Sequence, residues 1–324
     1  MSDVVVGTSR QQRKFWMPPE AGVIIVLLVA VTYFSLKLPD FRSEPNLRLL
    51  VKQAAELAIV SAGMTLVIAT GGIDISVGSV MAFSAMVLGW LALDRHLPLP
   101  IAALGAIFLG SLCGLVNGTL ISRAKLPPII VTLAMFAAAS AAASMFNNGR
   151  SISGFPSGFN ELIDGTNILH LPVLFWIAVV TLSGGVILLR FTAFGRELLA
   201  LGGNRTAAHL SGMPTARTET LVYVLSGTLA GLAAVVNVAK ESTATQGTGQ
   251  FMELTSITAV VLGGTVITGG KATVAGTALG VLTIGVIESG VRLFGQEDQL
   301  AWLLVGCALL LAVEAQKWRS PKTA

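Results

Sequence analysis

Charged residues are scarce in this chain: Asp, Glu, Lys and Arg together make up 12% of its 324 residues. Soluble domains carry about 25% of such residues, so this composition excludes an ordinary soluble fold. Apolar residues reach 53%, and they form runs too long for one face of a core helix. The runs also exceed the roughly ten-residue strands of a membrane barrel, and the chain is therefore predicted to be an all-α, polytopic membrane protein.

Reactive side chains are scarce as well. The chain has three histidines and two cysteines, and none of them falls in a spacing typical of a metal site or a nucleophile–base pair. Cys113 and Cys307 each lie inside an apolar run, where they are predicted to be small buried hydrophobic residues. We therefore expect no metal site, no catalytic residue and no enzyme activity in this chain.

A nucleotide-binding loop is also missing from the sequence. The segment GGK at 269–271 resembles the end of a phosphate-binding loop, but Thr265 stands where such a loop has glycine. Ala272 stands where the loop needs Ser or Thr for magnesium. The chain is therefore not expected to bind ATP itself.

Glu56 and Glu288 are the ionisable residues that lie well inside the apolar runs. Each has a basic residue four positions away, Lys52 and Arg292 respectively, and these pairs are predicted to be structural. Carriers driven by an ion gradient usually need buried ionisable groups for the coupling ion, so this scarcity argues against such a carrier. Energy for transport is expected to come from outside the chain.

The apolar runs predict ten membrane crossings, with eight or nine as the alternative because glycines interrupt 254–291. The ten predicted spans are 21–37, 49–70, 77–93, 99–121, 129–146, 171–189, 220–238, 254–268, 273–291 and 300–314. Lys and Arg concentrate at the termini and in the loop 190–219, which are therefore predicted to be cytoplasmic. The organisation expected is a tail over 1–20, one transmembrane domain over 21–314 with its longest outer loop at 147–170, and a tail over 315–324.

Two glycine-rich breaks in these runs resemble each other: GGIDISVG at 71–78 aligns with GGTVITGG at 263–270. Paired breaks in two halves of a chain indicate broken helices around a transport path. Chance similarity of glycine-rich turns is the alternative. On the first interpretation, the candidate pathway or gating residues are Gly71, Gly72, Gly263 and Gly264.

Four polar residues within or beside the spans have two interpretations each. Asp74 and Ser76 are placed to cap the helix after the first break, or to take part in a pathway or gate. Asn117 and Asn237 are placed to form interhelical hydrogen bonds, or to contact a polar solute. The sequence leaves both alternatives open.

Small residues recur four apart on single helix faces, at Gly110, Gly114 and Gly118 and again at the pairs Gly227–Gly231 and Gly276–Gly280. Such faces let helix backbones approach closely in a bilayer, and they predict tight packing rather than chemistry.

A compact polar motif, FGRELLALGGNRTAAHLSGMPTARTE at 194–219, interrupts the apolar pattern. Asn204 is predicted to cap a short helix over 205–210, which Gly212 ends and Pro214 prevents from continuing. Three glycines before this helix are predicted to allow sharp turns: Gly195, Gly202 and Gly203. A loop with a defined shape favours docking into a groove of another protein, and a solvated connector is the alternative.

Three motifs make the chain similar to the permease subunits of bacterial ATP-binding-cassette importers for monosaccharides, the group with ribose, xylose, arabinose, rhamnose and autoinducer-2 systems. They are GMTLVIATGGIDISVGS at 63–79, GRELLALGGNRTAAHLSGM at 195–213 and ITAVVLGGTVITGGKATVAGTALG at 257–280. The resemblance runs from about Leu49 to Val313. The third motif departs from the family pattern at Val266 and Ala272, where relatives often carry Ser and Gly.

This resemblance implies a type II-like importer permease that works by alternating access in the bacterial inner membrane. It implies that the 195–213 loop docks on a cytoplasmic ATPase, which binds the ATP, so that no cofactor is expected in this chain. The candidate coupling residues are Gly195, Arg196, Glu197, Leu199, Gly202, Gly203, Asn204, Ala207, Ala208 and Gly212.

The implied partners are that ATPase, a periplasmic sugar-binding protein, membrane lipid and a second permease copy, identical or homologous; no nucleic acid is expected. Affinity would reside in the binding protein, with few directional polar contacts along the path. An ion-coupled secondary transporter of a small polar solute is the alternative function, and nothing in the residues specifies which sugar is carried.

Overall fold

The computed structural model describes residues 20–161, 167–168, 171–295 and 298–319. Most of the predicted tail over 1–20, part of the outer loop 147–170 and the last five residues lie outside these ranges. Within them the chain is mostly helical, as predicted for an all-α membrane protein.

Thirteen α-helices lie in the described residues. They are α1 (Ala21–Lys37), α2 (Glu44–Ala69), α3 (Val77–Gly89), α4 (Leu99–Ser122), α5 (Pro128–Met145), α6 (Ser157–Asn160), α7 (Val173–Phe191), α8 (Ala193–Gly203), α9 (Arg205–Leu210), α10 (Thr215–Glu241), α11 (Met252–Leu262), α12 (Val274–Leu293) and α13 (Asp298–Arg319). A π-helical turn (Trp90–Asp94) extends α3, and short 3-10 turns lie at Pro39–Arg42 and Phe146–Gly149. Two-residue strands pair as β1 (Ile152–Ser153) with β4 (Thr243–Ala244), and as β2 (Asn167–Ile168) with β3 (Leu171–Pro172).

Seven helical segments among the described residues are long and apolar enough to cross a membrane. They are the helices that begin at Glu44, Val77, Leu99, Pro128, Val173, Thr215 and Val274. Three shorter apolar helices occur at Ala21–Lys37, Met252–Leu262 and Leu303–Glu314. Each of the ten predicted spans therefore overlaps an apolar helix.

The predicted span 254–268 is wrong in its extent. Helix α11 ends at Leu262 and has 11 residues. At 1.5 Å per residue it is about 16 Å long, roughly half the hydrocarbon core. The reason is local, because Gly264 adopts φ +94° and ends the helix there.

The centre of the bundle is α10, which packs against α4, α2 and α3. Its contact with α4 has no room for side chains on the glycine face: a Cβ on Gly114 would lie 2.9 Å from the Tyr223 carbonyl carbon, and one on Gly118 would lie 2.7 Å from the Thr220 carbonyl oxygen. Gly231 is equally close to Ile107. The small-residue faces predicted from the sequence are thus confirmed as backbone contacts.

Large apolar side chains on several helices face outward. Leu104 and Phe108 of α4, Val180 of α7 and Leu310 of α13 are all exposed. A chain in water would hide such side chains, so this surface requires lipid or another apolar protein surface around it.

The chain after α10 turns back along α3. Ala244 pairs with Ile152, whose side chain lies 3.1 Å from the position of a Cβ on Gly89, near the end of α3. Five residues later, the Gly249 carbonyl oxygen lies 2.5 Å from the position of a Cβ on Gly78, at the start of α3. Residues 245–251, the re-entrant segment, therefore run beside α3 from one of its ends to the other.

Candidate functional site

The polar loop between α7 and α10 consists of two helices joined at a corner. The Asn204 side chain caps α9 by accepting a hydrogen bond from the Ala207 backbone N–H at 2.9 Å. Gly212 follows α9 with φ +77° and donates its N–H to the His209 carbonyl oxygen. The cap and the helix end predicted from the sequence are both confirmed.

The sequence did not predict the first of these helices. Helix α8 is capped by Thr192, whose hydroxyl accepts the Gly195 N–H at 3.1 Å. The prediction of sharp turns at Gly195, Gly202 and Gly203 is therefore wrong, because all three lie within α8. Glycine at 195 instead allows α8 to fold against the end of α7: a Cβ there would lie 2.6 Å from the Leu189 Cα atom.

Both loop helices are tied to the start of α10. In α8, Glu197 Oε2 accepts a hydrogen bond from the Thr218 hydroxyl at 2.9 Å. In α9, the Arg205 guanidinium forms a two-point ion pair with the Glu219 carboxylate, with Nη1 and Oε2 3.0 Å apart. Glu219 is only 2% exposed, so this pair is strongly desolvated on one side. The loop and the base of α10 are thus joined by polar contacts that resist separation.

Besides Arg205, the exposed residues of α9 are Thr206, Ala207, His209 and Leu210, and we call these four the docking face. Leu210 is 81% exposed, an unusual position for a large apolar side chain on a polar loop. Ala208, by contrast, is 4% exposed and faces inward. The sequence analysis selected both Ala207 and Ala208 as coupling residues and missed Leu210. Because Leu210 lies two residues after Ala208 on the same helix, the two side chains could have been expected on different faces of α9.

Five glycines from three distant parts of the chain meet at one point. The Gly270 N–H donates to the Ala69 carbonyl oxygen at 3.0 Å, and a Cβ on Gly202 would overlap that same oxygen. A Cβ on Gly269 would lie 2.7 Å from the Gly71 nitrogen, and one on Gly270 would lie 2.8 Å from the Gly203 Cα atom. We call Gly71, Gly202, Gly203, Gly269 and Gly270 the glycine junction, in which the last turn of α8 contacts both helix breaks.

The two breaks end their helices in the same way. Gly71 has φ +81° and donates its N–H to the Ile68 carbonyl oxygen at 2.8 Å, while Gly264 has φ +94° and donates to Val261 at 3.0 Å. Gly71 therefore corresponds to Gly264, one residue away from the alignment made on sequence. Gly263 has another role, since a Cβ there would lie 2.6 Å from the Thr277 nitrogen of α12. Gly72 is in close contact with the Tyr223 hydroxyl of α10.

Asp74 organises the first break. It is 2% exposed, and its Oδ1 accepts hydrogen bonds from the Ser76 backbone N–H at 3.0 Å and the Ser76 hydroxyl at 2.6 Å. Its Oδ2 accepts from the Ser226 hydroxyl of α10 at 3.0 Å. Ser76 is the residue before α3, but its side chain does not cap that helix. Asp74 and Ser76 therefore form a turn that is also bonded to a neighbouring helix.

The two asparagines form interhelical hydrogen bonds. Asn117 of α4 donates Nδ2 to the Ser76 hydroxyl at 3.0 Å, while its Oδ1 has no partner among the described residues. Asn237 of α10 donates Nδ2 to Glu56 Oε1 at 2.9 Å. Both bonds support the structural interpretation of these residues, and the unpaired Asn117 oxygen leaves a free acceptor in the bundle.

Glu56 is linked to α10 rather than solely within its own helix. Its Oε2 forms an ion pair with the Lys240 ammonium at 2.6 Å. Arg292 donates to the Gln53 side chain across α12 and α2. The sequence predicted partners four residues away along the helix, and it could not identify these contacts because their partners lie far along the chain.

Two cavities are open at the surface of the described chain. One, of about 430 Å³, lies beside the docking face and is lined by Arg123, His209 and Arg217 among others. The other, of about 330 Å³, is lined by the re-entrant segment, α3, α5 and Glu253. Sequence reasoning missed the second, although the polar run TQGTGQ at 245–250 between apolar segments was a signal. No group of three or more His, Cys, Asp or Glu among the described residues is placed to hold a metal ion.

Residues 46–313 match the family model described as "Branched-chain amino acid transport system / permease component". The chain is 34% identical to the fructose import permease protein FrcC of Rhizobium meliloti, over 93% of this chain and 86% of the relative. It is 33% identical to the L-arabinose ABC transporter permease protein AraH of Azospirillum brasilense, over 98% of this chain and 93% of the relative. It is also 33% identical to the ribose import permease protein RbsC of Escherichia coli K12, over 97% of this chain and 98% of the relative. No solved structure matches the chain significantly.

Proposed function

The chain belongs to the branched-chain amino acid transport system / permease component family, and from this premise we propose how it works. It is the transmembrane permease subunit of an ATP-binding-cassette importer, a multi-pass protein of the inner membrane. Its solute is a monosaccharide or a related small, sugar-like molecule, since the relatives named above import fructose, arabinose and ribose.

The backbone contacts at the glycine junction are the observation that best supports this proposal. At this junction, the last turn of α8 contacts the end of α2 and the segment between α11 and α12 through backbone atoms. A partner that moves α8 and α9 must therefore also move both helix breaks, because at these glycines no flexible side chain lies between the backbones to absorb the displacement.

The partner proposed for the docking face is a cytoplasmic ATPase. Leu210 offers an apolar anchor, surrounded by Thr206, Ala207 and His209. Closure of the ATPase around ATP would pull on α9, and the Arg205–Glu219 pair would transmit that force to α10. The breaks then shift through the glycine junction, and the path opens alternately to the two sides.

Three further features complete the proposed assembly. A periplasmic sugar-binding protein delivers solute to the outer face, and a second permease copy encloses the path. Both chain termini and the α8–α9 loop lie in the cytoplasm. The last point is testable with Ser211, which is exposed beside α9: in a chain without Cys113 and Cys307, Ser211→Cys should react with an impermeant thiol reagent only in inside-out vesicles. Reaction in intact cells would exclude ATPase docking at this loop.

The docking face is tested by Leu210→Glu, which places a charge at an exposed position that makes few contacts within the chain. We expect normal membrane insertion, loss of co-purification with the ATPase, and loss of ATP-dependent uptake. Ala193→Glu is the matched control: Ala193 is exposed at the start of α8, where a helix N-terminus tolerates negative charge. Full uptake by Leu210→Glu would contradict the proposal.

The alternative is an ion-coupled transporter, which Asp74 would favour as a buried carboxylate beside a helix break. Such a protein would transport solute without the ATPase and would stop when an ionophore collapses the ion gradient. Uptake that requires the ATPase and survives the ionophore excludes it.

A further inference from the structure

The cavity beside the re-entrant segment is lined by six polar side chains, two aromatic rings, three glycines and one alanine. Its polar groups include the amides of Gln246 and Gln250, the Ser79 hydroxyl and the Glu253 carboxylate. Phe136 of α5 and Phe251 supply the apolar surface. A volume of about 330 Å³ is at the lower end of the range of about 300–1,000 Å³ typical of small-molecule sites.

Glu253 is the acidic residue in the lining of this cavity. It is 8% exposed, yet its Oε2 atom has no hydrogen-bond partner among the described residues. Buried carboxylate oxygens are normally hydrogen-bonded, because desolvation without a partner is unfavourable. Oε2 packs against Gly78, where any Cβ would overlap it, so the backbone of α3 leaves space for this carboxylate.

The backbone beside Glu253 is held in an unfavourable conformation. Phe251 adopts φ +60°, in the left-handed region that bulky residues rarely occupy, and it immediately precedes α11. Strain of this kind persists where the surrounding structure requires it, and it concentrates at ligand sites. Here it places the Phe251 ring and the Glu253 carboxylate on the same cavity.

The position of the cavity connects it to the moving parts of the chain. Ser79 lies in the cavity wall and donates its hydroxyl to the Ser76 carbonyl oxygen at 2.9 Å. Ser76 in turn belongs to the Asp74 turn at the first helix break. A change at the break therefore reaches the cavity within one turn of α3.

We propose that this cavity is a solute site within the permease, in which Glu253 accepts hydrogen bonds from hydroxyl groups of a neutral, sugar-like solute. Gln246 and Gln250 supply further donors and acceptors, and the aromatic rings cover the apolar face of the solute. The inference rests on the proposed function and adds to it a place where the permease itself contacts its cargo. It differs from the expectation that the path makes few directional polar contacts.

The first test uses the permease assembled with its ATPase and binding protein in proteoliposomes, with D-ribose, L-arabinose and D-fructose as separate probes. Glu253→Gln and Glu253→Ala should each lower uptake at least about tenfold, as for loss of a hydrogen bond to a charged group. Co-purification with the ATPase should be unchanged. Glu241→Gln is the control, since that carboxylate is exposed at the end of α10 and lies outside the cavity.

Unchanged uptake in both Glu253 variants would overturn the solute site and leave the proposed function intact. No ATP-dependent uptake of any of the three sugars by the unmodified assembly would instead count against the proposed function. Loss of co-purification together with uptake would indicate damage to the fold, and the second test then decides.

The second test measures access to the cavity in a chain whose two cysteines, Cys113 and Cys307, are replaced by alanine. Gln250→Cys should react with an impermeant thiol reagent applied from the outer side, and a millimolar concentration of the transported sugar should slow that reaction. Ser151→Cys, exposed in the outer loop and outside the cavity, should react at the same rate with and without sugar. Equal reaction rates of Gln250→Cys with and without every probe sugar would overturn the proposal.

Discussion

Gly202, in the last turn of α8, lies so close to the Ala69 carbonyl oxygen at the end of α2 that a Cβ at position 202 would overlap it. The same oxygen accepts the Gly270 N–H at 3.0 Å. Helix α8 and the two helix breaks are thus in contact through backbone atoms. In the mechanism proposed above, this contact couples the α8–α9 loop to the two helix breaks.

The importance of the close contact at Gly202 can be tested by comparing alanine substitutions at Gly202 and at the next residue, Gly203. Gly202→Ala should displace α8 from α2, lower stability by about 1–3 kcal/mol and reduce uptake. Gly203→Ala is the matched control, because a Cβ there meets nothing within 4 Å. Thermal unfolding in detergent and uptake in proteoliposomes measure both effects. Equal behaviour of the two variants would show that α8 does not need this close approach.

The ion pair between Arg205 and Glu219 predicts that substitutions at these two positions have non-additive effects on stability. Arg205→Met leaves the Glu219 carboxylate buried without its partner and should cost about 1–3 kcal/mol, a moderate value because the Arg205 side chain is 53% exposed. Adding Glu219→Gln should recover part of that loss, because no uncompensated charge remains. Arg196→Met, at an exposed position of α8, should leave stability unchanged. Additive losses in the double variant would contradict a direct pair.

Two variants of Asp74 distinguish a structural role of this residue from a role in carrying an ion. Asp74→Asn keeps an oxygen that can accept from Ser76, so most uptake should remain if the residue only forms the turn. Asp74→Ala removes every acceptor and should cost about 1 kcal/mol for each lost hydrogen bond. An ion-coupled transporter would instead lose uptake completely with Asp74→Asn while staying folded. Uptake assays with and without an ionophore distinguish these outcomes.

The glycine face between α4 and α10 should tolerate no side chain. Gly114→Ala would place a Cβ 3.0 Å from the Val224 Cα atom and should lower the unfolding free energy by about 1–3 kcal/mol. Gly184→Ala in α7, where a Cβ meets nothing within 4 Å, should change it by no more than about 0.5 kcal/mol. Thermal unfolding in one detergent compares the pair. A neutral Gly114→Ala would mean that the two helices can move apart freely.

Local sequence determined the helices, their ends and much of the loop. Long apolar runs have only one stable form in a bilayer, since every backbone polar group must be bonded within the segment, and so each predicted span contains a helix. Asn204 and Gly212 could be identified from sequence because capping depends on residues within one turn. Glycines four apart identified a packing face for the same reason, as the helix repeat alone places them together.

Tertiary structure decided the contacts between residues distant in the chain. Gly202 was expected to form a turn, but it lies inside a helix because α2 and the 263–273 segment approach it there. Lys240 pairs with Glu56 because α10 packs against α2. Glu253 Oε2, which has no hydrogen-bond partner among the described residues, lies against α3 because the re-entrant segment returns there. No local sequence pattern determines such long-range contacts, because they depend on how all the helices pack together.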